Sequence, residues 1–165
     1  MTTDELAALW GAIEPPIAAG MLSGRGVIEA PAGDRAMLAV DHSGLRHLLI
    51  PVSDVEAPPK RPATKGLKVD VDVLKVGEDA ARRYLDIACR DAAMHGNFVA
   101  VALEVIRALE DDATQPAKTV EQILNRWRWF WGSPPAGLSD EGIVGLFGEL
   151  WYLEFWLAPV TPHVM

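Results

Sequence analysis

One cysteine, Cys89, stands in the 165 residues, so neither an internal disulfide nor a cysteine-rich zinc site can form. Basic residues are scarce as well: 15 Lys and Arg face 23 Asp and Glu, a formal charge of −8. Holding nucleic acid by bulk electrostatics needs the opposite balance, so any nucleic acid has to bind locally. The N-terminus, MTTDELAALW, is acidic where a secretory signal is basic, and no unbroken apolar run reaches the roughly 20 residues of a bilayer span. A cytoplasmic protein with no membrane partner is expected. The sequence also lacks internal repeats, a glycine-rich phosphate loop and a serine in a nucleophile-elbow context. Its four histidines, His42, His47, His95 and His163, have no metal-ligand spacing.

What is present is patterned. Half the residues are apolar, which suits a packed core. Leu6, Leu9, Trp10 and Ile13 fall on one face of a helix over Asp4–Ile13, which Pro15 and Pro16 stop. Arg25–Glu29, Arg35–Asp41 and Leu45–Pro51 are short β-prone runs divided by Pro31, Gly33 and Gly44, and read as a meander. The segment Val52–Thr64 collects Pro58, Pro59 and Pro62 with Lys60 and Arg61, and reads as a solvated loop. Val69, Val71 and Val73 then alternate with Asp70 and Asp72, the period of a strand with one buried face. Arg83–Arg90 repeats this, with Leu85, Ile87 and Cys89 on one side and Tyr84, Asp86 and Ala88 on the other. Next the period becomes helical: Phe98, Val101, Ala102, Val105, Ile106 and Leu109 share a face, with Asn97 as cap. After a linker at Thr114–Pro116, Val120, Ile123, Leu124, Trp127 and Trp131 form another stripe.

The last long stretch, Leu138–Leu157 (LSDEGIVGLFGELWYLEFWL), predicts a helix capped by Ser139, with Asp140 and Glu141 at its positive end. Ile143, Leu146, Phe147, Leu150, Leu153 and Leu157 form one apolar stripe. The other side carries Gly142, Gly145 and Gly148, then Tyr152 and Trp156, and each interior glycine costs a helix roughly 1 kcal/mol against alanine. Close approach of a second partner explains them, and Trp151, Tyr152, Phe155 and Trp156 are expected to face a further domain or a partner protein. The turn GSPPAG before this helix is short, so a helical hairpin is expected.

Several residues invite a chemical reading and each has a plainer one. Asp70 and Asp72 suggest a metal, yet carboxylates on the wet face of a strand need no ligand, and no third donor stands beside them in sequence. His42 and His47 can meet across a hairpin, but two ligands do not make a site. Cys89, with no His or Lys near it in sequence, reads as a small core residue. Arg126, Arg128 and Trp129 interleave charge and aromatic surface, which can pair with and stack on nucleic-acid strands. The plainer account has Trp129 covering a neighbouring helix with the arginines at its rim.

The segments LNRWRWFWG and LSDEGIVGLFGELWYLEFWL, with GLKVDVDVL, YLDIACRD and NFVAVALEVI before them, resemble a family of bacterial PD-(D/E)XK motif proteins within the restriction-endonuclease-like superfamily. The resemblance spans most of the chain and is sharpest at GLFGEL. It implies a metal-dependent nuclease-like protein, in DNA restriction or phage defence. It also implies that Glu149, by its position in the helix preceding the catalytic strands, helps hold Mg²⁺ as part of the catalytic set. The Asp and Glu-x-Lys that such strands carry are not found: no Asp or Glu is followed two residues later by Lys. The expectation is therefore the N-terminal part of such a protein, or a shortened relative, without a complete catalytic site. A module that docks on a partner protein through its aromatic helix is the alternative, favoured by the acidic charge. The expected fold is α+β: residues 1–113 as a mainly antiparallel sheet of about five strands with flanking helices, and residues 117–165 as a helical hairpin that begins a nuclease-like domain.

Overall fold

The computed structural model describes residues 1–29, 35–53, 66–112 and 114–132. The chain divides into two compact units, Met1–Gly132 and Ser133–Met165, and every described residue belongs to the first. The predicted helix Leu138–Leu157 lies outside the described residues.

The first unit is α+β, with helix α1 (Thr3–Gly11), strands β1 (Leu22–Glu29), β2 (Arg35–Asp41), β3 (Arg46–Pro51), β4 (Leu67–Leu74) and β5 (Arg82–Cys89), and helices α2 (His95–Asp111) and α3 (Pro116–Gly132). The five strands form one antiparallel sheet in the order β1-β2-β3-β5-β4. Hairpins join β1 to β2, β2 to β3 and β4 to β5. In the sheet β5 lies between β3 and β4, which leaves β4 as an edge strand and β5 in the interior.

Helix α1 starts where Thr2 accepts from the Glu5 N–H and the Glu5 carboxylate accepts in return from the Thr2 N–H, so two donors of the first turn are satisfied reciprocally. Leu6 and Trp10 point into the core, and the Trp10 indole N–H donates to the Ala39 carbonyl at 3.1 Å. Trp10 also packs on Phe98 of α2, ring centroids 5.4 Å apart. Helix α2 is entered differently from the sequence reading. Asn97 is not its cap: α2 follows Met94, which makes no side-chain cap bond, and the side-chain cap belongs to the 3₁₀ turn Ala92–Met94 just before it, where Asp91 accepts from the Ala93 N–H. By length and composition Ala92–Asp111 could cross a bilayer. Here its apolar face, Phe98, Val101, Ala102, Val105, Ile106 and Leu109, is buried within the same core as the sheet and α3.

All three helices contribute to one core with Leu38, Leu48, Ile50, Leu67, Val69, Leu85, Ile87 and Cys89 of the sheet. The opposite face of the sheet is partly buried too. Leu22, Ala39, Leu49, Val76 and Tyr84 form a second apolar cluster there. The cause is the coil of the sheet. Leu22 stands at one end of one edge strand and Val76 beyond the far end of the other, yet the two are bridged, and the Gly77 N–H donates to the Leu22 carbonyl at 2.9 Å. The right-handed twist of strands brings diagonal corners of a sheet together in this way. Gly24 permits the closure, since a Cβ at that position would lie 2.7 Å from Val76 Cγ1 and 2.9 Å from the Leu38 carbonyl oxygen.

The coil alters the reading of two strands. β5 is buried on both faces over Tyr84–Cys89, so Tyr84, Asp86 and Ala88 are not a wet side. In β4 only Leu67 and Val69 are well buried, and Val73, expected inside, is 70% exposed because it lies toward the end of an edge strand.

Candidate functional site

Strand pairing sets the chemistry of the outer sheet face. His47 of β3 is opposite Ala88 of β5, Leu49 is opposite Asp86, and Asp86 is opposite Asp70 of β4. Side chains directly opposite each other share a face, so His47, Asp86 and Asp70 lie on one side, with Lys68 and Asp72 flanking Asp70 two residues away. Asp41 ends β2 beside them. Its Oδ1 accepts from the Ser43 and Leu45 N–H groups at 2.8 and 2.9 Å and folds the β2–β3 turn, in which Gly44 has φ +76°.

Asp86 is the buried charged residue of this unit among the described residues, 5% exposed. Its Oδ1 lies 2.9 Å from His47 Nδ1. An ionised carboxylate can only accept, so Nδ1 is the donating ring nitrogen. The other ring nitrogen, Nε2, stands 3.9 Å from Asp41 Oδ2, beyond hydrogen-bond length but close enough for electrostatic attraction of a charged ring. On the far side Lys68 Nζ is 3.0 Å from Asp70 Oδ2 and 3.8 Å from Asp72 Oδ2. The hydrogen bond to Asp70 raises the Lys68 ammonium above its ordinary range, partly offset by burial. Two carboxylates set opposite each other are thus each held by a separate donor, Asp86 by His47 and Asp70 by Lys68.

His42 and His47 do not pair in the structure. His42 Nε2 lies 3.3 Å from Ser43 Oγ, while His47 turns to β5. The contact of His47 with Asp86 spans 39 residues and has no local signal in the sequence. Cys89 is fully buried, as read from the sequence, and its thiol donates to the Asp91 carbonyl at 3.2 Å. Burial pushes that thiol above its ordinary pKa, against the pull of the Asp91 hydrogen bond. Near the same end of the sheet the Arg46 guanidinium lies 5.6 Å from the centre of the Trp10 ring. Burial, reinforced by Arg46, lowers the pKa of His95 below its ordinary value.

Of the residues read as a nucleic-acid surface, Arg126 pairs with Glu104 of α2. The other Glu104 oxygen accepts from the Trp127 indole N–H at 2.8 Å, so one carboxylate ties two side chains of α3 to α2. Arg128 and Trp129 fall within α3, and their side chains lie outside the described residues. Glu149, Trp151, Tyr152, Phe155 and Trp156 also lie outside them. Among the described residues no three acidic, histidine or cysteine side chains converge as metal ligands.

Residues 6–163 match the model of a family described as "Putative PD-(D/E)XK family member" (DUF4420). No curated protein and no solved structure matches the chain.

Proposed function

The chain belongs to this PD-(D/E)XK family, and from that premise we propose that it is the non-cleaving, N-terminal part of a nuclease-like protein acting on DNA in restriction or phage defence. The observation that carries the reading is the match over residues 6–163. The sequence supports the non-cleaving part of it, since no Asp or Glu is followed two residues later by Lys. The sheet unit then serves as scaffold, and Glu149 supplies one carboxylate of the catalytic set.

Divalent metal ions are general among PD-(D/E)XK proteins, and Mg²⁺ at Glu149 is the form proposed for this one. The described residues do not fit such an ion: the opposed carboxylates Asp70 and Asp86 are held by Lys68 and His47, and no third ligand converges on them. DNA is the proposed substrate of the whole protein, and Arg126, Arg128 and Trp129 are a local contact rather than the main binding surface. The engagement of Arg126 with Glu104 agrees with that secondary role.

A second reading rests on the charge. At −8 the chain repels phosphate, which favours docking on a protein through Trp151, Tyr152, Phe155 and Trp156 in the cytoplasm.

Incubation of the purified chain with plasmid DNA and Mg²⁺ or Mn²⁺ tests the first reading. No cleavage is expected, and cleavage abolished by Glu149→Ala would show a complete nuclease site within these residues. In a host carrying the complete gene, Glu149→Ala is expected to abolish protection against phage. Full protection by the variant would remove Glu149 from the catalytic set.

A further inference from the structure

The family implies a divalent cation, and the sheet carries acidic side chains crowded on one face. Asp70 and Asp86 are direct partners across β4 and β5, with Asp72 and Asp41 on either flank. Directly opposed like charges destabilise a sheet, so something positive or donating has to stand between them. In metal sites that role falls to the ion. Here it falls to side chains of the chain itself. Lys68 Nζ sits 3.0 Å from Asp70 and 3.8 Å from Asp72, and His47 Nδ1 sits 2.9 Å from Asp86.

We infer that Lys68 and His47 take the place of a divalent cation on the outer sheet face, so that this unit of a PD-(D/E)XK family member binds none. The inference goes beyond the nuclease-like reading and rests on it only for the expectation of a metal. Lys68 is half-exposed, so its ammonium reaches the carboxylates from solvent, along the route a hydrated ion would take. His47 is 12% exposed and closes the group from the side of β3. A cation entering there has to displace the ammonium and forgo the His47-bound oxygen of Asp86. Mg²⁺ gives up its waters reluctantly, and two carboxylates already engaged offer it little.

Paramagnetic broadening by Mn²⁺ tests this, read residue by residue in amide spectra of the full chain at Mn²⁺ equal to the protein concentration. In the wild type the amide signals of His47, Asp70, Leu85 and Asp86 are expected to keep their intensity. In Lys68→Met, where the ammonium is gone and the methylene stem stays, those signals are expected to lose more than half their intensity. If Lys68→Met does not give a folded spectrum, Lys68→Gln carries the same expectation. Wild-type signals that fade as steeply as those of the variant would overturn the inference. So would a folded variant as indifferent to Mn²⁺ as the wild type, since the ammonium would then not be what excludes the ion. In the wild type, broadening confined to amides around Glu149, with the sheet signals sharp, supports the inference and separately supports a metal at Glu149.

Discussion

Replacing His47 by Leu removes the donor of a buried carboxylate while leaving its volume largely filled. The side chains of His47 and Asp86 are 12% and 6% exposed, so the carboxylate and its donor are buried rather than at the surface. The distinction sets the magnitude. A surface pair contributes up to about 1 kcal/mol, whereas removing one partner of a buried pair costs about 3–5 kcal/mol because the survivor is left desolvated and unpaired. In His47→Leu the survivor, Asp86, is also opposite Asp70, so the loss belongs at the upper end. With stabilities of about 5–15 kcal/mol, a large fraction of the total disappears. Urea unfolding is the assay, with the midpoint falling and the slope unchanged. The companion variant is His47→Leu with Asp86→Leu. It removes the stranded charge and the opposition to Asp70 together, and is expected within about 1 kcal/mol of wild type, since apolar replacement of a buried pair is often neutral or better. A single variant costing under about 1 kcal/mol would refute the argument, because Asp86 would then have water or another donor within reach.

Three further predictions rest on single contacts. Gly24→Ala forces a Cβ to 2.9 Å from the Leu38 carbonyl, which is backbone and cannot swing aside, and is expected to lower stability by about 1–3 kcal/mol in thermal unfolding; Val76→Ala in the same chain relieves only part of it. Glu104→Ala strips acceptors from both Arg126 and Trp127 and is expected to cost about 1–2 kcal/mol, whereas Arg126→Ala, at a side chain 65% exposed, costs under about 1 kcal/mol; equal losses would show that the indole bond contributes nothing. His95 has its pKa lowered by burial, so the unfolded chain takes up its proton first as the pH falls; stability present above 6.5 is expected to decline below it, and His95→Gln to flatten that slope in urea midpoints measured across the range.

The elements were legible because their periods are local. Alternating Val and Asp in β4, and the stripe from Phe98 to Leu109, announce a strand and a helix from neighbours a few residues apart. β1 extends past the expected Arg25–Glu29 to Leu22, and the approach of Val76 accounts for the glycine inside the strand at Gly24. The Asp91 cap was legible in principle, as an acidic residue just before the helical run, but Asn97 offered a rival. The order of strands was not legible. Nothing near β4 or β5 says that the later strand goes inside, and that placement is what buries Asp86 and brings it within reach of a histidine 39 residues earlier. The candidate cluster was unreadable for the same reason, and its acidic members looked like an ordinary solvated face.

That buried polar pair also answers a question the apolar residues leave open. On the helix side, β3 presents Leu48 and Ile50 to Ile87 and Leu85. A slip of one residue would turn one strand inside out relative to the other and is excluded by burial alone. A slip of two keeps the faces: in one direction it sets Leu48 against Cys89 and Ile50 against Ile87, which the core discriminates against weakly, whereas in the other it sets Ile50 against Arg83. The outer face does discriminate. His47 is opposite Ala88 and reaches diagonally to Asp86; in the slip that the core tolerates it would lie opposite Arg90 with Asp86 out of reach, and the 2.9 Å bond would be lost. Asp86 in turn is fixed against Asp70, and Lys68 and Asp41 complete the set from β4 and β2. The doubly apolar variant therefore separates two quantities that the wild type combines. If the pair sets register, that variant keeps its stability yet gives amide spectra with doubled signals along β3 and β5, whereas a single set of signals would assign the register to the turns and the helices alone.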